Sequence, residues 1–265
     1  MTSPYVALSQ ARCVLFAHAH PDDETLSTGA LIADLSARGV RCVVVTATRG
    51  ECGEVRPEAA AELGAQAGGG TSSSEDALVA LREREWRSAG HRLGVASQEF
   101  LGRNAGRRYR DSGMRWVCPG VAGPAETRLD AFTRLPMEDA VADLQAAIAA
   151  HRPDYVVSYD DAGTYGHPDH LRMCQVARAA CTDVPLIEIV SERAGTDPSA
   201  LPGWQALPAT ENAVAAALAC YHSQVVVRNT REAGSGVVEI EHVGGQQQSL
   251  PCGIALVWSG AGVAH

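Results

Sequence analysis

The sequence predicts an α/β protein with a Rossmann-like, mostly parallel sheet flanked by helices, and two observations support this class. Short apolar, β-branched runs at 12–18 ("RCVLFAH"), 40–48 ("VRCVVVTAT") and 154–160 ("DYVVSYD") are typical of buried strands. A segment with helical periodicity at 24–39 separates the first two runs. This order is a βαβ unit, which requires parallel strands and a right-handed crossover.

The other elements continue this alternation along the chain. The later predicted strands are "QEFLG" at 98–102, 154–160 and 184–190. The predicted helices are 24–39, which ends at a capping Gly39, 76–94, 137–153, which Pro153 stops, 167–181 and 209–224. From 49 to about 75 the chain is polar, small and Gly-rich, and 67–76 is predicted to be a mobile loop. Residues 102–136 show no clear periodicity, and a loop of that length is either functional or disordered. Short strands around a mobile "GGQQQS" segment are predicted near the C-terminus.

Composition indicates one domain and excludes several partners. The chain has 265 residues, of which 46% are hydrophobic, so a single domain over 1–265 with one large core is predicted. The net charge of −9 and the lack of basic runs argue against nucleic acid as a partner. The acidic surface disfavours an anionic membrane, and no apolar run reaches the roughly 18 residues that span a bilayer. A homo-oligomer stays open, because the sequence does not show the oligomeric state.

The eight cysteines are spread along the chain without CxxC spacing or a preceding signal peptide. Several lie in apolar runs, as Cys13 and Cys42 do. We therefore expect reduced thiols that act as small core residues in a cytoplasmic protein.

Two polar clusters follow predicted strands. "HAHPDDET" at 18–25 follows the first strand, and "YGHPDH" at 165–170 follows the strand at 154–160 after a short loop. The carboxyl ends of parallel strands form the ligand crevice of open α/β sheets, so the clusters should meet. In each cluster a His-Pro pair starts a helix, because Pro suits the first helical position.

The residue types in these clusters predict a catalytic metal site. His20 and Asp23 can converge on one point that His170 reaches from the second cluster, and two imidazoles with one carboxylate leave open metal positions. Zinc is the predicted metal, and iron(II) or cobalt(II) would also fit such ligands. Asp22 would be free to accept a proton from water at the metal, and His167 with Asp169 would form an oriented imidazole beside it.

The motifs "HAHPDDE" and "GHPDH" resemble those of the PIG-L (LmbE-like) family of zinc-dependent N-deacetylases, over most of the chain. "ECGEV" at 51–55, "RDSGM" at 110–114, "YGHPDH" and "YHSQ" look most like the mycothiol-pathway branch, which acts on N-acetylglucosaminyl-inositol. The resemblance implies a small-molecule aminosugar substrate and hydrolysis of its amide. It implies these roles: zinc ligands His20, Asp23 and His170; general base Asp22; oxyanion-facing His167, protonated and oriented by Asp169; hydrogen-bond donor Tyr165; and substrate hydroxyl contacts from Arg82, Asp111, Glu54 and Ser27.

Alternatives remain beside this interpretation. A non-haem iron oxygenase uses the same ligand types, and a sugar-binding module could share the fold without catalysis. Within hydrolases, a mycothiol S-conjugate amidase or a natural-product tailoring deacetylase would cleave a related amide. Three nearby side chains are expected to stay outside the chemistry: His18 in the core, Cys52 beside the site and His222 at a helix end.

Overall fold

The computed structural model describes residues 2–67, 74–118, 121–125, 128–192, 196–228 and 234–260. Most of the predicted mobile loop at 67–76 lies outside these residues. Among the described residues, no helix combines the length and apolar character needed to cross a bilayer.

Helices and strands alternate through the described residues. The α-helices are α1 (Pro4–Ser9), α2 (Asp23–Leu26), α3 (Gly29–Ala37), α4 (Pro57–Ala67), α5 (Ser74–Leu93), α6 (Met137–His151), the irregular turn α7 (Gly163–Gly166), α8 (Pro168–Ala180) and α9 (Glu211–Leu218). The strands are β1 (Cys13–His18), β2 (Arg41–Thr46), β3 (Ser97–Phe100), β4 (Met114–Cys118), β5 (Val121–Pro124), β6 (Tyr155–Tyr159), β7 (Leu186–Ile189), β8 (Trp204–Ala206), β9 (Val225–Arg228), β10 (Val237–His242), β11 (Gln247–Pro251) and β12 (Gly253–Trp258).

The central sheet confirms the predicted fold class. Its strand order within the described chain is β3-β2-β1-β6-β7-β12-β8, and β3, β2, β1, β6 and β7 are parallel. Only β12 and β8, at one edge, pair in the antiparallel direction. Two small antiparallel sheets accompany it, β11-β10-β9 and the β4–β5 hairpin.

The middle of the sheet places the two polar clusters side by side. Every residue of β1 is buried, because helices cover both faces of a parallel sheet. β1 pairs with β6 on one side and β2 on the other. The carboxyl end of β1 is His18, and that of β6 is Tyr159, so the segments that follow both strands enter the same crevice.

The predicted helix at 24–39 is wrong as one continuous helix, since it breaks between α2 and α3. The Thr28 hydroxyl donates to the Glu24 carbonyl at 2.9 Å and also lies 2.9 Å from Nε2 of His18. Thr28 thus connects the break between the two helices to His18 at the end of β1. A side chain that bonds backbone within its own helix competes with helical hydrogen bonding, which the apolar periodicity does not show.

Several other boundaries differ from the prediction. Helix α4 lies inside the polar, Gly-rich segment 49–75, for which the sequence predicts no helix; Pro57 opens the helix and Ala-rich sequence continues it. The segment 102–136 contains the β4–β5 hairpin, and the predicted strand at 98–102 is shifted slightly to β3. Helix α9 ends at Leu218, before the "YHSQ" motif that was predicted to be helical.

The eight cysteines are free thiols, as expected. Cys13, Cys42, Cys174 and Cys252 are buried and serve as small core residues. Cys52 and Cys118 are exposed, so the expectation of a core role does not extend to them.

Candidate metal centre and active site

Three ligand-type atoms from the two clusters form an equilateral triangle. Nδ1 of His20 lies 3.3 Å from Oδ2 of Asp23 and 3.3 Å from Nε2 of His170, and the last two atoms are also 3.3 Å apart. Ligands about 2.0–2.1 Å from a tetrahedral metal are separated by about 3.3–3.4 Å, so the triangle has the size of one face of such a site. The fourth position is left for water or substrate.

Hydrogen bonds at the far nitrogen orient the His20 ring. Nε2 of His20 lies 3.1 Å from Oδ2 of Asp169, which also accepts the backbone N–H of Ser112 at 2.9 Å. Oδ1 of Asp111 lies 3.7 Å from the same Nε2. Because a carboxylate only accepts, the proton of neutral His20 sits on Nε2, and Nδ1 keeps its lone pair for a metal.

The His170 ring is fixed in the complementary tautomer. Its Nδ1 lies 2.8 Å from the Thr164 hydroxyl, which donates to the Gly163 carbonyl at 2.7 Å and must therefore accept from Nδ1. The lone pair of Nε2 then points into the triangle. On the other side, the Tyr159 ring stacks on His170 with centroids 4.4 Å apart and planes at 7°.

The electrostatics of the triangle favour a bound cation. Burial disfavours a charged imidazole, yet the carboxylates of Asp111, Asp169 and Asp23 raise the pKa of His20 well above its ordinary value. Burial also opposes the charge on Asp23, but His170 and His20 hold the pKa of that carboxyl well below its usual range. A site that favours positive charge this strongly, with all three ligand residues buried, has the chemistry of a divalent-metal site.

Other groups of potential ligands overlap this triangle. The nitrogens of His20, His167 and His170 lie within 4.8 Å of one another, as do ligand atoms of His20, Asp111 and Asp169. Asp111 and Asp169 face the protonated nitrogen of His20, so they orient that ring rather than replace it as ligands.

His167 is placed as a neutral hydrogen-bond donor. Its Nδ1 accepts the backbone N–H of Asp169 at 3.1 Å, so its proton lies on Nε2. Burial, followed by the nearby His20 and His170, lowers the pKa of His167 to about 2. The expectation of a protonated His167 is therefore wrong. Asp169 contacts His167 through its backbone N–H, while its carboxylate oxygen Oδ2 bonds to His20.

Asp22 is held in a strained conformation beside the triangle. Its φ of 103° is unusual for a residue with a side chain, and its backbone N–H donates to Oε2 of Glu24 at 3.1 Å. Glu24 is itself fixed by the Tyr221 hydroxyl at 2.6 Å. Burial raises the pKa of Asp22 to about 6, against the opposing charge of Arg82. A carboxyl with this pKa can both accept and release a proton near neutrality.

Arg82, which was predicted to contact substrate hydroxyls, is bonded to the segment that carries Asp22. Its guanidinium donates to Oδ2 of Asp22 at 3.0 Å and to the carbonyl of Pro21, and only 3% of the residue is exposed. Helix α5 packs against α2, which brings the buried Arg82 side chain to Asp22 at the edge of the site. Arg82 therefore positions Asp22.

The remaining predicted substrate contacts are distributed unevenly. Asp111 is buried and accepts the N–H groups of Cys52 and Gly113, so it lies inside the site beside His20. Ser27 follows α2 at its C-terminal end. Glu54 is exposed, and its backbone carbonyl accepts from Gln224. No hydrogen bond described for the side chains of Ser27 or Glu54 joins them to the triangle.

Tyr165 lies at the mouth of the site. Its ring centroid is 5.2 Å from that of His170 and 6.0 Å from that of His167. The residue is 37% exposed, so its hydroxyl can meet a substrate that enters from solvent.

Three side chains were expected to stay outside the chemistry, and their contacts agree. His18 is fully buried between Thr28 and the Tyr159 hydroxyl, and burial lowers its pKa to about 4. Cys52 contacts Asp111 through its backbone N–H and its thiol. Nδ1 of His222 lies 3.1 Å from Oε1 of Glu85, and the His222 side chain is exposed.

Sequence reasoning missed several residues that hold the ligands. Thr164 fixes His170, the Tyr159 hydroxyl donates to Oδ2 of Asp23 at 2.8 Å, and Ser112 donates to Asp169. The position of Tyr159 at the end of β6, next to the triangle, was the available signal. Ser112 lies in the quoted "RDSGM" motif, but its role depends on a backbone N–H, which carries no residue signature.

The fold and the site define a class of protein: a Rossmann-like α/β protein with a candidate metal centre of two histidines and one carboxylate at the carboxyl ends of parallel strands. The family described as "PIG-L: GlcNAc-PI de-N-acetylase" matches residues 15–181. The chain belongs to this family, which confirms the resemblance.

Similar curated proteins carry one name, 1D-myo-inositol 2-acetamido-2-deoxy-alpha-D-glucopyranoside deacetylase. The protein from Saccharomonospora viridis is 45% identical over 167 residues, 63% of this chain and 57% of its own. The protein from Kineococcus radiotolerans is 41% identical over 168 residues, 63% of this chain and 44% of its own. The chain thus spans about half the length of the curated relatives it matches.

Solved structures support the fold. A deacetylase–teicoplanin complex aligns with a TM-score of 0.56 at 20% identity, over 93% of this chain and 99% of its own. The 4-carboxy-2-hydroxymuconate hydratase GalB from Pseudomonas putida aligns with a TM-score of 0.51 at 20% identity, over 79% and 78%. Because a deacetylase and a hydratase share this fold, the reaction has to be argued from the site.

Proposed function

We propose that this chain is a metal-dependent hydrolase that removes the acetyl group from an acetamido-sugar conjugate. The observation that carries the proposal is the 3.3 Å triangle of His20, Asp23 and His170, which has the size and charge of a catalytic metal face. Around it stand a carboxylate with a pKa of about 6 and two hydrogen-bond donors, which are the groups that amide hydrolysis requires.

The proposed substrate is an N-acetylglucosaminyl-inositol. Curated relatives 41–45% identical to the chain are named as deacetylases of this compound. The buried position of Asp111 beside His20 offers a carboxylate to a substrate hydroxyl within the site. Zinc is the proposed metal because two imidazoles and a carboxylate in a tetrahedral arrangement suit it, and cobalt(II) or iron(II) can occupy the same ligands.

Each residue has a defined part in this mechanism. A divalent metal held by the triangle supplies Lewis-acid chemistry, acidifying water and polarising the acetyl carbonyl. Asp22 accepts the proton of the water that attacks the carbonyl carbon. Nε2–H of neutral His167 and the Tyr165 hydroxyl donate to the carbonyl oxygen as negative charge develops there, an effect of about 3 kcal/mol per donor. Asp22 then returns its proton to the nitrogen as the C–N bond breaks, which releases acetate and the free amine.

Acetate release is the direct test. The protein is stripped with a chelator, reloaded with zinc and incubated with N-acetylglucosaminyl-inositol and, separately, N-acetylglucosamine. We expect turnover of the inositol compound that chelation abolishes and zinc restores. Asp23→Ala is expected to lose both bound zinc and turnover. Asp34→Asn, which alters a carboxylate paired with Arg38 on α3, is the matched control and should retain both.

The proposal is wrong if folded, zinc-loaded protein releases acetate from neither compound. A protein that binds zinc through His20, Asp23 and His170 yet only binds the sugar would match the alternative of a sugar-binding module. Release of a larger acyl group in preference to acetate would instead identify an amidase of the same class.

A further inference from the structure

The β4–β5 hairpin presents an unusual amount of apolar surface. Six large hydrophobic residues are exposed in the described chain, and three of them, Trp116, Val117 and Val121, belong to this hairpin. Trp116 is 56% exposed. Exposed aromatic side chains near a crevice mark ligand-binding surfaces more often than chance, because leaving an indole in water is unfavourable unless something covers it.

Trp116 is continuous with the candidate active site. Its ring centroid lies 5.8 Å from that of Tyr165, with planes at 34°, and Tyr165 lies 5.2 Å from the ligand His170. The Tyr165 ring therefore lies between the indole and His170 of the triangle. We call the pair of Trp116 and Tyr165 the aromatic rim.

The hairpin is anchored to both walls of the site, so the rim has a defined position. Ala122, the cross-strand partner of Trp116, is buried, and its carbonyl packs so closely on Gly166 that a Cβ there would lie 3.2 Å away. Ser112, two residues before β4, donates to Asp169. The turn that carries Tyr165 and the residues that orient His20 thus hold the hairpin from two sides.

The charges around the rim select against an anionic ligand. The charges of Asp23, Asp22 and Asp111 act on Tyr165 and outnumber the opposing charge of Arg82, and the chain as a whole has a net charge of −9. Arg115, which directly precedes Trp116 on β4, donates to the carbonyl of Pro124. Alternation along a strand directs its side chain to the face opposite Trp116.

We propose that the aromatic rim binds the uncharged ring attached to the acetamido sugar, with the C–H face of that ring against the Trp116 indole. This proposal rests on the proposed deacetylase function. When the acetamido group lies at the triangle beside Tyr165, the next ring of the substrate extends toward Trp116. A cyclitol or a second sugar has both the apolar ring face and the lack of charge that this surface requires. Trp116 is therefore a specificity-determining residue.

The test compares substrates with and without the second ring. Steady-state kinetics and calorimetric binding are measured for zinc-loaded wild type, Trp116→Ala, Trp116→Phe and Leu129→Ala. The ligands are N-acetylglucosaminyl-inositol, the same conjugate with a phosphate on the inositol, and N-acetylglucosamine. Leu129 is 82% exposed and lies outside the hairpin, so its truncation controls for loss of apolar surface.

We expect Trp116→Ala to weaken binding and lower kcat/KM about tenfold for the inositol conjugate, with less than a twofold change for N-acetylglucosamine. Trp116→Phe should recover part of the loss, Leu129→Ala should match wild type, and the phosphorylated conjugate should bind at least tenfold more weakly. Equal losses on both unphosphorylated compounds, no loss on either, or tighter binding of the phosphorylated one would overturn the proposal. Binding of the conjugate that depends on Trp116, without acetate release from any compound, would support the rim and contradict the deacetylase function.

Discussion

The hydroxyl of Thr164 lies 2.8 Å from Nδ1 of His170, and the residue that provides it has a strained backbone. Thr164 has φ 61° and ψ −87°, a region that β-branched residues avoid and that costs on the order of 1–3 kcal/mol. The side chain is partly buried, and its hydroxyl bonds to His170 and to the Gly163 carbonyl. The strain is consistent with a role in fixing the tautomer of a metal ligand.

Substitutions of Thr164 should separate metal affinity from stability. Thr164→Val removes the acceptor for Nδ1–H, so we expect zinc affinity to fall about tenfold with a similar melting temperature. Thr164→Ser keeps the hydroxyl and should retain most of the affinity. Thr164→Gly relieves the strain and loses the hydroxyl, so it should melt higher yet bind zinc as weakly as the valine variant. Competition titration with a chromophoric chelator and thermal melts measure both; valine and serine variants with equal zinc affinity would rule the role out.

The buried Arg82 forms an ion pair with the partly buried Asp22, so Arg82→Met should act on stability and turnover rather than on substrate binding. Removal of one partner of a buried pair leaves an uncompensated charge and costs about 3 kcal/mol. Asp22 would also lose its orientation, so kcat should fall while KM changes little. Urea denaturation and Michaelis kinetics give the two readouts.

The control for Arg82 lies on the same helix. Arg87 pairs with Glu83 four residues away at 2.7 Å, and its side chain is 61% exposed, so Arg87→Met should cost less than about 0.5 kcal/mol. If Arg82→Met instead raised KM strongly at unchanged kcat and stability, Arg82 would hold the substrate after all.

Asp22→Asn should keep the metal and lose turnover. The amide has the shape of the carboxylate but accepts no proton at neutral pH, so we expect kcat to fall by about 10²–10⁴. Zinc content, measured by atomic absorption after gel filtration, should equal that of wild type because the triangle does not include Asp22. Near-normal acetate release by this variant would contradict the assignment of Asp22 as the base.

The central part of the fold could be predicted because its strands are buried on both faces. The strands β1, β2 and β6 are near-continuous apolar runs, which only a covered parallel sheet explains. Helix α4 was missed because Gly-rich sequence follows directly, so composition averaged over 49–75 predicted no helix. The break at Thr28 could not be predicted, since it depends on a bond to His18, ten residues away in another element.

The site was predictable where chemistry resides in residue type and not where it depends on tertiary contacts. His-Pro-Asp motifs at two strand ends identified the residues that the structure brings together. The burial of Arg82 could not be predicted, because the sequence pattern of a charged residue in a helix is the same whether its side chain faces solvent or Asp22. Likewise, the Asp169 carboxylate contacts His20 across 149 positions, while its sequence neighbour His167 suggested a local partner.

Tyr165→Phe should separate the two functions that we propose for this side chain. The hydroxyl is proposed to donate to the carbonyl oxygen, and the ring is part of the aromatic rim beside Trp116. Loss of the hydroxyl alone should lower kcat by about 10²-fold, because one donor to a developing oxyanion contributes about 3 kcal/mol. Affinity for the inositol conjugate, measured calorimetrically on zinc-loaded protein, should stay within twofold of wild type because the ring remains.

Tyr165→Ala should lose both turnover and affinity, since removing the ring also removes the neighbour against which the Trp116 indole packs. A phenylalanine variant with wild-type kcat would show that His167 alone donates to the oxyanion, and a phenylalanine variant with weakened binding would show that the hydroxyl already contacts the substrate in the ground state.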